Sequence, residues 1–283
     1  MECQHRGMST EVLRYSAFST DPAGGNPAGV VLDASELSDL DMQRIAKEVG
    51  YSETAFLTRT AEREYRVRYF SPLAEVDFCG HATIGTSVAL AERIGGGPLL
   101  FHTNTGDVAI DTTPGTATLI SVAPHSRPAT DTEVDETLRA LRWQHSDLDP
   151  AFPARVAYAG NEHLMLGVAT RQRLATLDYD FDALGSIMRA AGWTTVHLFF
   201  ADGPNHFQAR DPFPVGGVVE DPATGAAAAA FGGYLRDIGY ANSGKIIIEQ
   251  GVDLGRPSRL EVDLDPGATG IRVTGAAVPI GQC

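Results

Sequence analysis

Apolar residues recur along the chain in two spacings, one typical of short strands and one typical of amphipathic helices. An apolar stretch at 28–32 is followed by a segment, 38–49, in which apolar residues return at helical spacing. The same order returns in the second half, where an apolar stretch at 164–168 precedes helical spacing over 181–191. The pattern therefore predicts strands alternating with helices, which is an α/β or α+β fold class.

The second half of the chain repeats the order of the first, which predicts a duplicated domain. Gly25-Asn26 precedes the first apolar stretch, and Gly160-Asn161 precedes the second. Each half then contains two further predicted strands, at 52–57 and 65–70 in the first half and at 194–199 and 206–210 in the second. We expect two similar lobes.

Each half closes with a turn and a helix that is poor in charged side chains. The turn at 77–83 leads into a helix predicted over 84–94, and the turn at 220–225 leads into a helix predicted over 226–238. The second of these helices begins with five consecutive alanines. Such helices are expected to be surrounded by other elements, because small side chains allow strands to approach closely.

These patterns divide the chain into two lobes. The N-terminal lobe is predicted to comprise residues 9–123 and about 271–283, and the C-terminal lobe 124–270, with the active site in the cleft between them. Apolar periodicity lapses at 124–135, which is the predicted inter-lobe linker. The pattern of the last segment also permits pairing with the other lobe.

Composition and charge indicate a chain that can fold and limit its expected partners and location. With 43% apolar residues among 283, the chain can bury a large core. Its 22 basic and 36 acidic residues give a net charge of −14, which repels nucleic acid and anionic membranes, so neither is an expected partner. No apolar run approaches the roughly 20 residues that cross a bilayer, and no secretory signal pattern begins the chain, so a cytoplasmic location is predicted.

The cysteines do not suggest disulfide bonds or a structural metal site. Cys3, Cys79 and Cys283 are an odd number without CxxC spacing, which argues against a disulfide framework and a structural zinc site. The eight histidines do not cluster at metal-ligand spacing, so we predict no metal and no cofactor. Next to a helix start, Cys79 is either an activated nucleophile or a small packed thiol.

The two small-residue helices offer a binding site for an anion. Backbone N–H groups near Gly80 and Gly225 are unpaired at the helix starts, where the helix dipole is positive. If the lobes face each other, a carboxylate fits between the two starts. Simple capping by Thr83 or Asp221 is the alternative. The duplication favours a site, because each start carries a titratable side chain, His81 or Asp221.

Glu53 is the third candidate for chemistry. It directly precedes the apolar residues 55–57, and Thr195 occupies the corresponding place in the second half. A glutamate at a strand start is most often solvated. A carboxylate removed from water, however, is a stronger base toward a weakly acidic C–H group, because burial raises its pKa. A two-thiol racemase mechanism fails, because the second helix start carries Asp221 where a cysteine is needed.

Four motifs, in their order and spacing, resemble the PhzF-like phenazine-biosynthesis family, a member of the diaminopimelate epimerase superfamily. They are Gly25-Asn26-Pro27-Ala28, Ser52-Glu53-Thr54-Ala55-Phe56-Leu57, Cys79-Gly80-His81-Ala82-Thr83 and Glu220-Asp221-Pro222-Ala223-Thr224-Gly225. The resemblance spans nearly the whole chain. It implies the diaminopimelate epimerase-like fold, with two pseudo-symmetric lobes, each a curled sheet or barrel around a central helix.

The resemblance also implies an activity and catalytic residues. Members of the family are generally cofactor-independent isomerases, and the best-known one converts trans-2,3-dihydro-3-hydroxyanthranilate by moving a proton. Glu53 matches the family's general acid/base, which removes a proton and returns it to a different carbon. His81 and Asp221 match residues that contact the substrate and assist proton handling.

A second set of matched residues is implied to bind substrate. Gly80 and Gly225, together with His81, match the backbone amides that hold the substrate carboxylate, and Ser52 and Asn26 match further polar contacts. Ala226 departs from the family, which commonly has Ser there, so only the backbone N–H remains. A missing side-chain hydrogen bond costs on the order of 1 kcal/mol, which permits a different substrate.

The predicted function is therefore a cofactor-independent isomerase that moves a proton on a small cyclic or unsaturated amino-acid-like carboxylic acid, of the trans-2,3-dihydro-3-hydroxyanthranilate type. Three alternatives remain open. They are an amino-acid epimerase or racemase, a pyrroline-carboxylate isomerase of an antibiotic pathway, and a non-catalytic protein that binds a small acid. The resemblance also implies a homodimer.

Overall fold

A computed structural model describes residues 10–281 of the chain. Its strands are β1 (Leu13–Ala17), β2 (Asn26–Val31), β3 (Glu53–Ala61), β4 (Glu64–Phe70), β5 (Glu75–Val76), β6 (Gly97–Thr103), β7 (Gly106–Thr113), β8 (Thr116–Ile120), β9 (His125–Pro128), β10 (Arg155–Tyr158), β11 (Glu162–Gly167), β12 (Trp193–Ala201), β13 (His206–Phe213), β14 (Val218–Asp221), β15 (Lys245–Gln250), β16 (Ser258–Asp263) and β17 (Arg272–Pro279). Its helices are α1 (Asp39–Val49), α2 (Gly80–Ile94), α3 (Asp131–Leu141), α4 (Arg171–Ala175), α5 (Phe181–Ala191) and α6 (Gly225–Asp237). Cys3 and Cys283, with residues 9, 282 and 283 of the predicted N-terminal lobe, lie outside the described residues.

Eight strands close into a barrel around α2. In order around the ring they are β1, β2, β3, β4, β6, β7, β8 and β17, and β17 returns to β1. The pairs β2–β3 and β4–β6 are parallel, and the others are antiparallel. Residues 81–91 of α2 are all buried inside this barrel. The prediction of a surrounded helix is confirmed, and its small side chains explain how it fits.

The second half forms a similar curled sheet around α6. Its strands follow the order β9, β10, β11, β12, β13, β15, β16 and β17. The alanines 227–230 of α6 are buried, and the helix packs against β9, β10, β11 and β16. None of the helices in the described part of the chain is both long and apolar enough to span a bilayer.

One strand, β17, belongs to both sheets. Along one edge, its first residues pair with β16 of the second sheet and its last residues pair with β1 of the barrel. Its other edge pairs with β8 of the barrel. The two sheets are therefore joined through a continuous hydrogen-bonded strand rather than only through side-chain packing.

Most predicted elements are present, with shifted bounds, but the predicted linker is wrong. Residues 124–135 form β9 and the first turn of α3. Strand β9 lies at a sheet edge, where it pairs only with β10 among the described strands. The helix then begins with a polar capping box between Thr130 and Glu133, and its first buried residue is Val134. A short edge strand followed by a polar first turn leaves little apolar periodicity, which explains the error.

Phe18 lies where the two lobes meet. Its side chain is fully buried, and its backbone is in the left-handed region at φ 62°. Its N–H donates to the carbonyl of Ala276 at 2.7 Å, and its carbonyl accepts from the N–H of Arg259 at 2.8 Å. A Cβ at Gly275 would lie 2.3 Å from Cδ1 of Phe18, so only glycine fits beside this ring. The ring also contacts Gly225, the first residue of α6.

Candidate active site

A cavity of about 60 Å³ lies between the two lobes, where α2 and α6 begin. Both halves of the chain contribute to its wall. The lining residues are Glu53, Phe78, Cys79, Gly80, His81, Asn161, Thr194, Thr195, Phe213, Asp221, Ala223, Thr224, Gly225 and Ala226. The residues that the sequence singled out therefore cluster at one place, although the motifs that carry them are far apart along the chain.

The two helix starts lie close together on the wall of this cavity. A Cβ at Gly80 would lie 3.5 Å from Cα of Gly225 and 3.6 Å from the backbone nitrogen of Ala226. The N-cap residues are Cys79 and Thr224, and the hydroxyl or thiol of neither residue makes the usual capping hydrogen bond to its own helix. In contrast, side chains cap α1, α3 and α5. Free backbone N–H groups and the positive ends of two helix dipoles therefore converge on one small space, which suits an anion.

The capping alternative considered from the sequence is wrong. The hydroxyl of Thr83 donates to the carbonyl of Cys79, inside the helix, rather than accepting from a free N–H group. Asp221 ends β14 and lies three residues before the N-cap Thr224, whose hydroxyl donates to it. Neither side chain satisfies the free N–H groups of its helix.

Glu53 begins β3 and points toward the start of α2. Its side chain is 13% exposed, and its Oε2 lies 3.3 Å from Nε2 of His81. The thiol of Cys79 lies 3.5 Å from the same oxygen. The solvated alternative for Glu53 is therefore wrong, since strand pairing draws this carboxylate onto the cavity wall.

His81 lies in the first turn of α2 and is buried. Burial lowers the pKa of its imidazole, and the negative charge of Glu53 opposes that effect. The side-chain amide of Asn26 lies 3.0 Å from Nδ1 and can only donate, which assigns the Nε2–H tautomer to the neutral ring. The Nε2–H group then points toward Glu53 and Ser52, whose hydroxyl is 3.4 Å away.

Asp221 is the second acidic group on the cavity wall, and its surroundings favour the neutral acid. Burial, with the nearby carboxylates of Glu53 and Asp211, raises its pKa to about 8, against hydrogen bonds from Thr224 and Asn26 that lower it. The Thr224 hydroxyl donates to Oδ2 at 2.7 Å, and the Asn26 amide donates to Oδ1 at 2.6 Å. At neutral pH, Asp221 therefore holds a proton that it can share with a bound molecule.

The raised pKa of Asp221 predicts a measurable dependence of stability on pH. Between the ordinary value of 3.8 and about 8, the folded protein binds one more proton than the unfolded chain, so the free energy of unfolding falls as pH rises. One such group contributes roughly 1.4 kcal/mol for each pH unit of this window. Urea unfolding of the wild type and Asp221→Asn from pH 5 to 8 measures the difference. Parallel pH curves for the two proteins would contradict the prediction.

Asn26 and Ser52 lie behind the wall rather than on it. Among the described contacts, the Asn26 amide reaches Asp221, His81 and the carbonyl of Ala223. Asn26 thereby links the carboxyl group of Asp221, in the second lobe, to the imidazole of His81, in the first. The predicted role of Asn26 and Ser52 in contacting substrate stays a prediction, as does that of Ala226.

Several wall residues were not identified from the sequence. Asn161 and Thr195 occupy the places that Asn26 and Glu53 occupy in the first half, so the internal repeat contained the signal for them. Two aromatic side chains, Phe78 and Phe213, also line the cavity. Nothing in their spacing distinguishes them from core residues.

Glu53, Cys79 and His81 place a carboxylate oxygen, a sulfur and a ring nitrogen within 4.8 Å of one another. Such a group can hold a divalent metal only if the thiol is ionised. Burial, with the charge of Glu53, raises the pKa of the Cys79 thiol. A neutral thiol favours the packed-thiol interpretation of Cys79 over the nucleophile.

The chain is similar to a known protein family in sequence and in structure. Residues 15–282 match the family described as phenazine biosynthesis-like protein, PhzC-PhzF. The chain is 34% identical to an uncharacterised isomerase of Deinococcus radiodurans, over 97% of this chain and 92% of that protein. It is 35% identical to a trans-2,3-dihydro-3-hydroxyanthranilate isomerase of Pseudomonas aeruginosa, over 86% of each chain. A crystal structure of a PhzF-family protein of Bacillus anthracis superposes with a TM-score of 0.84 at 27% identity, over 96% of this chain and 98% of that one.

Proposed function

Because the chain belongs to the phenazine biosynthesis-like protein family and is an isomerase of that family, we propose that it moves a proton by general acid/base catalysis without a cofactor. The proposed substrate is a small cyclic or unsaturated amino-acid-like carboxylic acid, of the trans-2,3-dihydro-3-hydroxyanthranilate type. The family and the diaminopimelate epimerase-like fold expected from the sequence are both confirmed.

The observation that carries this proposal is the convergence of three proton-handling side chains and two helix starts on one cavity. Glu53 and His81 come from one lobe and Asp221 from the other. Between them lie the free N–H groups that begin α2 and α6. A small acid bound here receives hydrogen bonds from these N–H groups at its carboxylate. The three titratable side chains are then placed to exchange protons with its carbon atoms.

The proposed mechanism begins with binding of the carboxylate. Backbone N–H groups at the starts of α2 and α6, beside Gly80 and Gly225, orient it and offset its charge, since no lysine or arginine is found among the described wall residues. The neutral Asp221 donates a hydrogen bond to a hydroxyl or amino group of the substrate. Orientation of this kind brings the reacting carbon toward Glu53 and removes an entropic barrier from the proton transfer.

Glu53 then transfers the proton. Its carboxylate removes a proton from one carbon and, as the double bonds shift, returns it to another. The Nε2–H group of His81, which points at Glu53, supports the charged carboxylate before transfer and after return. No net oxidation or reduction occurs, so the cycle requires no electron carrier.

Incubation in deuterated water tests this function. We expect the protein to convert trans-2,3-dihydro-3-hydroxyanthranilate to its shifted isomer, as followed by NMR, with deuterium at the receiving carbon in those turnovers in which the proton on Glu53 exchanges with solvent before it is returned. Inversion at a single carbon of an amino acid would indicate an epimerase instead. Isomerisation of a pyrroline carboxylate alone would change the substrate, and tight binding without any exchange would indicate a non-catalytic protein.

We further propose that the protein acts in the cytoplasm as a homodimer and serves phenazine or antibiotic biosynthesis. The likeness to the family supports all three proposals. The net charge of −14 agrees with a protein that binds neither nucleic acid nor membrane. A second copy of the chain and one small carboxylic acid are then its partners.

A further inference from the structure

A buried array of polar side chains lies behind Asp221 in the second lobe. It consists of His163, Thr195, Asp211 and His197, and each of them is fully buried. Nδ1 of His163 lies 2.8 Å from the hydroxyl of Thr195, which donates to Oδ1 of Asp211 at 2.9 Å. Nδ1 of His197 lies 3.0 Å from Oδ2 of Asp211. Thr195 also lines the cavity, so the array ends at the candidate active site.

The hydrogen bonds of this array all point toward Asp211. Because Thr195 gives its only proton to Asp211, it must accept from His163, which fixes the Nδ1–H tautomer of that ring. Burial and the neighbouring His197 lower the pKa of His163 to about 3, so this ring is neutral. With His197 in its Nδ1–H tautomer, Asp211 receives donors from two sides, an arrangement that stabilises a carboxylate ion in a site away from water.

Asp211 and Asp221 are direct cross-strand partners. They lie opposite each other in the antiparallel register of β13 and β14. Residues in this relation have Cβ atoms about 4.5–5.5 Å apart, and like charges placed so are destabilising. Two buried carboxyl groups on directly opposite residues disfavour a state in which both are charged, and their hydrogen bonds decide which group holds a shared proton.

We propose that Asp211 is a positioning residue, held as a carboxylate by Thr195 and His197, which keeps the shared proton on Asp221 and so keeps that group ready to donate to substrate. The array faces the cavity only through Thr195, and Asp211 itself is sealed behind it. Asp211 therefore acts through Asp221 and does not touch the substrate. The role of the proton toward substrate rests on the proposed function, whereas its location on Asp221 does not.

Other titratable groups also surround Asp221. Glu53 from β3 raises the pKa of Asp221 more than Asp211 does, and Cys79 at the start of α2 is a neutral thiol. His81 is neutral and reaches Asp221 through Asn26. On β14 itself, the neighbouring Glu220 is paired with Arg210. Asp211 is thus the carboxylate that shares a strand register with Asp221.

Titration of the Asp221 carboxyl by carbon NMR tests the proposal without any substrate. The protein is labelled with carbon-13 aspartate, and Asp221→Asn identifies the signal. We expect Asp211→Asn to lower the midpoint of Asp221 by about one to two pH units, because a facing negative charge is removed. The alkaline limb of the pH–rate profile should move by the same amount. An unchanged midpoint in folded Asp211→Asn would overturn the proposal.

Thr195→Val provides a second variant, which changes no charge. It removes one donor from Asp211 but leaves both carboxyl groups in place, so the proton shared by the pair should move in part from Asp221 to Asp211. At neutral pH the carbon-13 signal of Asp211, identified by its loss in Asp211→Asn, should therefore move toward the position of a protonated carboxyl, which general loosening of the lobe does not predict. An Asp211 signal that stays at its wild-type position in Thr195→Val would refute the proposed role.

Thr194→Val is the matched control, because it makes the same change on the neighbouring cavity residue. None of the described hydrogen bonds joins Thr194 to Asp211, so the titration of Asp221 should stay at the wild-type midpoint. Because NMR reports the proton directly, failure to convert any hydroxyanthranilate would refute the proposed function and leave this result unaffected.

Discussion

Replacement of Glu53 by glutamine is expected to lower turnover by about 10²- to 10⁴-fold while the protein still binds its ligand. Glutamine keeps the size of the side chain and one oxygen acceptor, but it cannot take up a proton. The proposed carboxylate cradle consists of backbone N–H groups at the starts of α2 and α6, which the substitution leaves in place, so substrate affinity should change little. The loss should therefore fall on kcat rather than on KM.

Steady-state kinetics and calorimetric binding of the same acid measure the two effects separately. Glu62→Gln serves as the control, since Glu62 is an exposed glutamate just beyond the end of β3. Its turnover should equal that of the wild type. Wild-type kcat in Glu53→Gln would remove Glu53 as the proton carrier, and lost binding with unchanged kcat would make it a substrate contact instead.

Replacement of Phe18 by alanine should lower the free energy of unfolding by about 3–5 kcal/mol. The ring is fully buried between the lobes and contacts two glycines, Gly225 and Gly275, which cannot extend side chains into the space it would leave. The backbone strain at φ 62° persists in alanine and offers little relief. Because Gly225 begins α6, a loosened contact should also weaken binding of the carboxylate.

Chemical denaturation of wild type and Phe18→Ala measures the first effect, and calorimetry with a small acid measures the second. Phe181→Ala is the comparison, since Phe181 is 37% exposed at the start of α5. Its loss should stay below about 1 kcal/mol. Equal losses of unfolding free energy in both variants would show that Phe18 contributes no more to stability than a partly exposed phenylalanine does.

The fold was predictable where local pattern and tertiary role agree. The helices α2 and α6 could be recognised because small, uncharged residues at helical spacing are compatible only with a surrounded helix. Residues 124–135 could not, because the polar capping box of α3 resembles a loop in its composition. A closed barrel was expected from family resemblance alone, since no local pattern specifies which distant strands pair.

The clustering of the candidate residues was predictable, but their protonation was not. The internal repeat and the family motifs pointed to Glu53, His81 and Asp221, and these side chains meet at one cavity. The raised pKa of Asp221 depends on its burial and on the nearby charges of Glu53 and Asp211, which sequence alone does not provide. The array of His163, Thr195 and His197 was missed for the same reason, because it requires the strand register.

The strand β17 has a consequence for how the protein is made. The barrel needs this strand between β1 and β8, yet β8 ends at residue 120 and β17 begins at residue 272. A nascent chain therefore cannot complete its first lobe until the whole of the second has left the ribosome. Until then the edges of β1 and β8 that pair with β17 stay exposed. Exposed strand edges can pair with other chains, so during synthesis the incomplete barrel is prone to aggregation and is a substrate for chaperones.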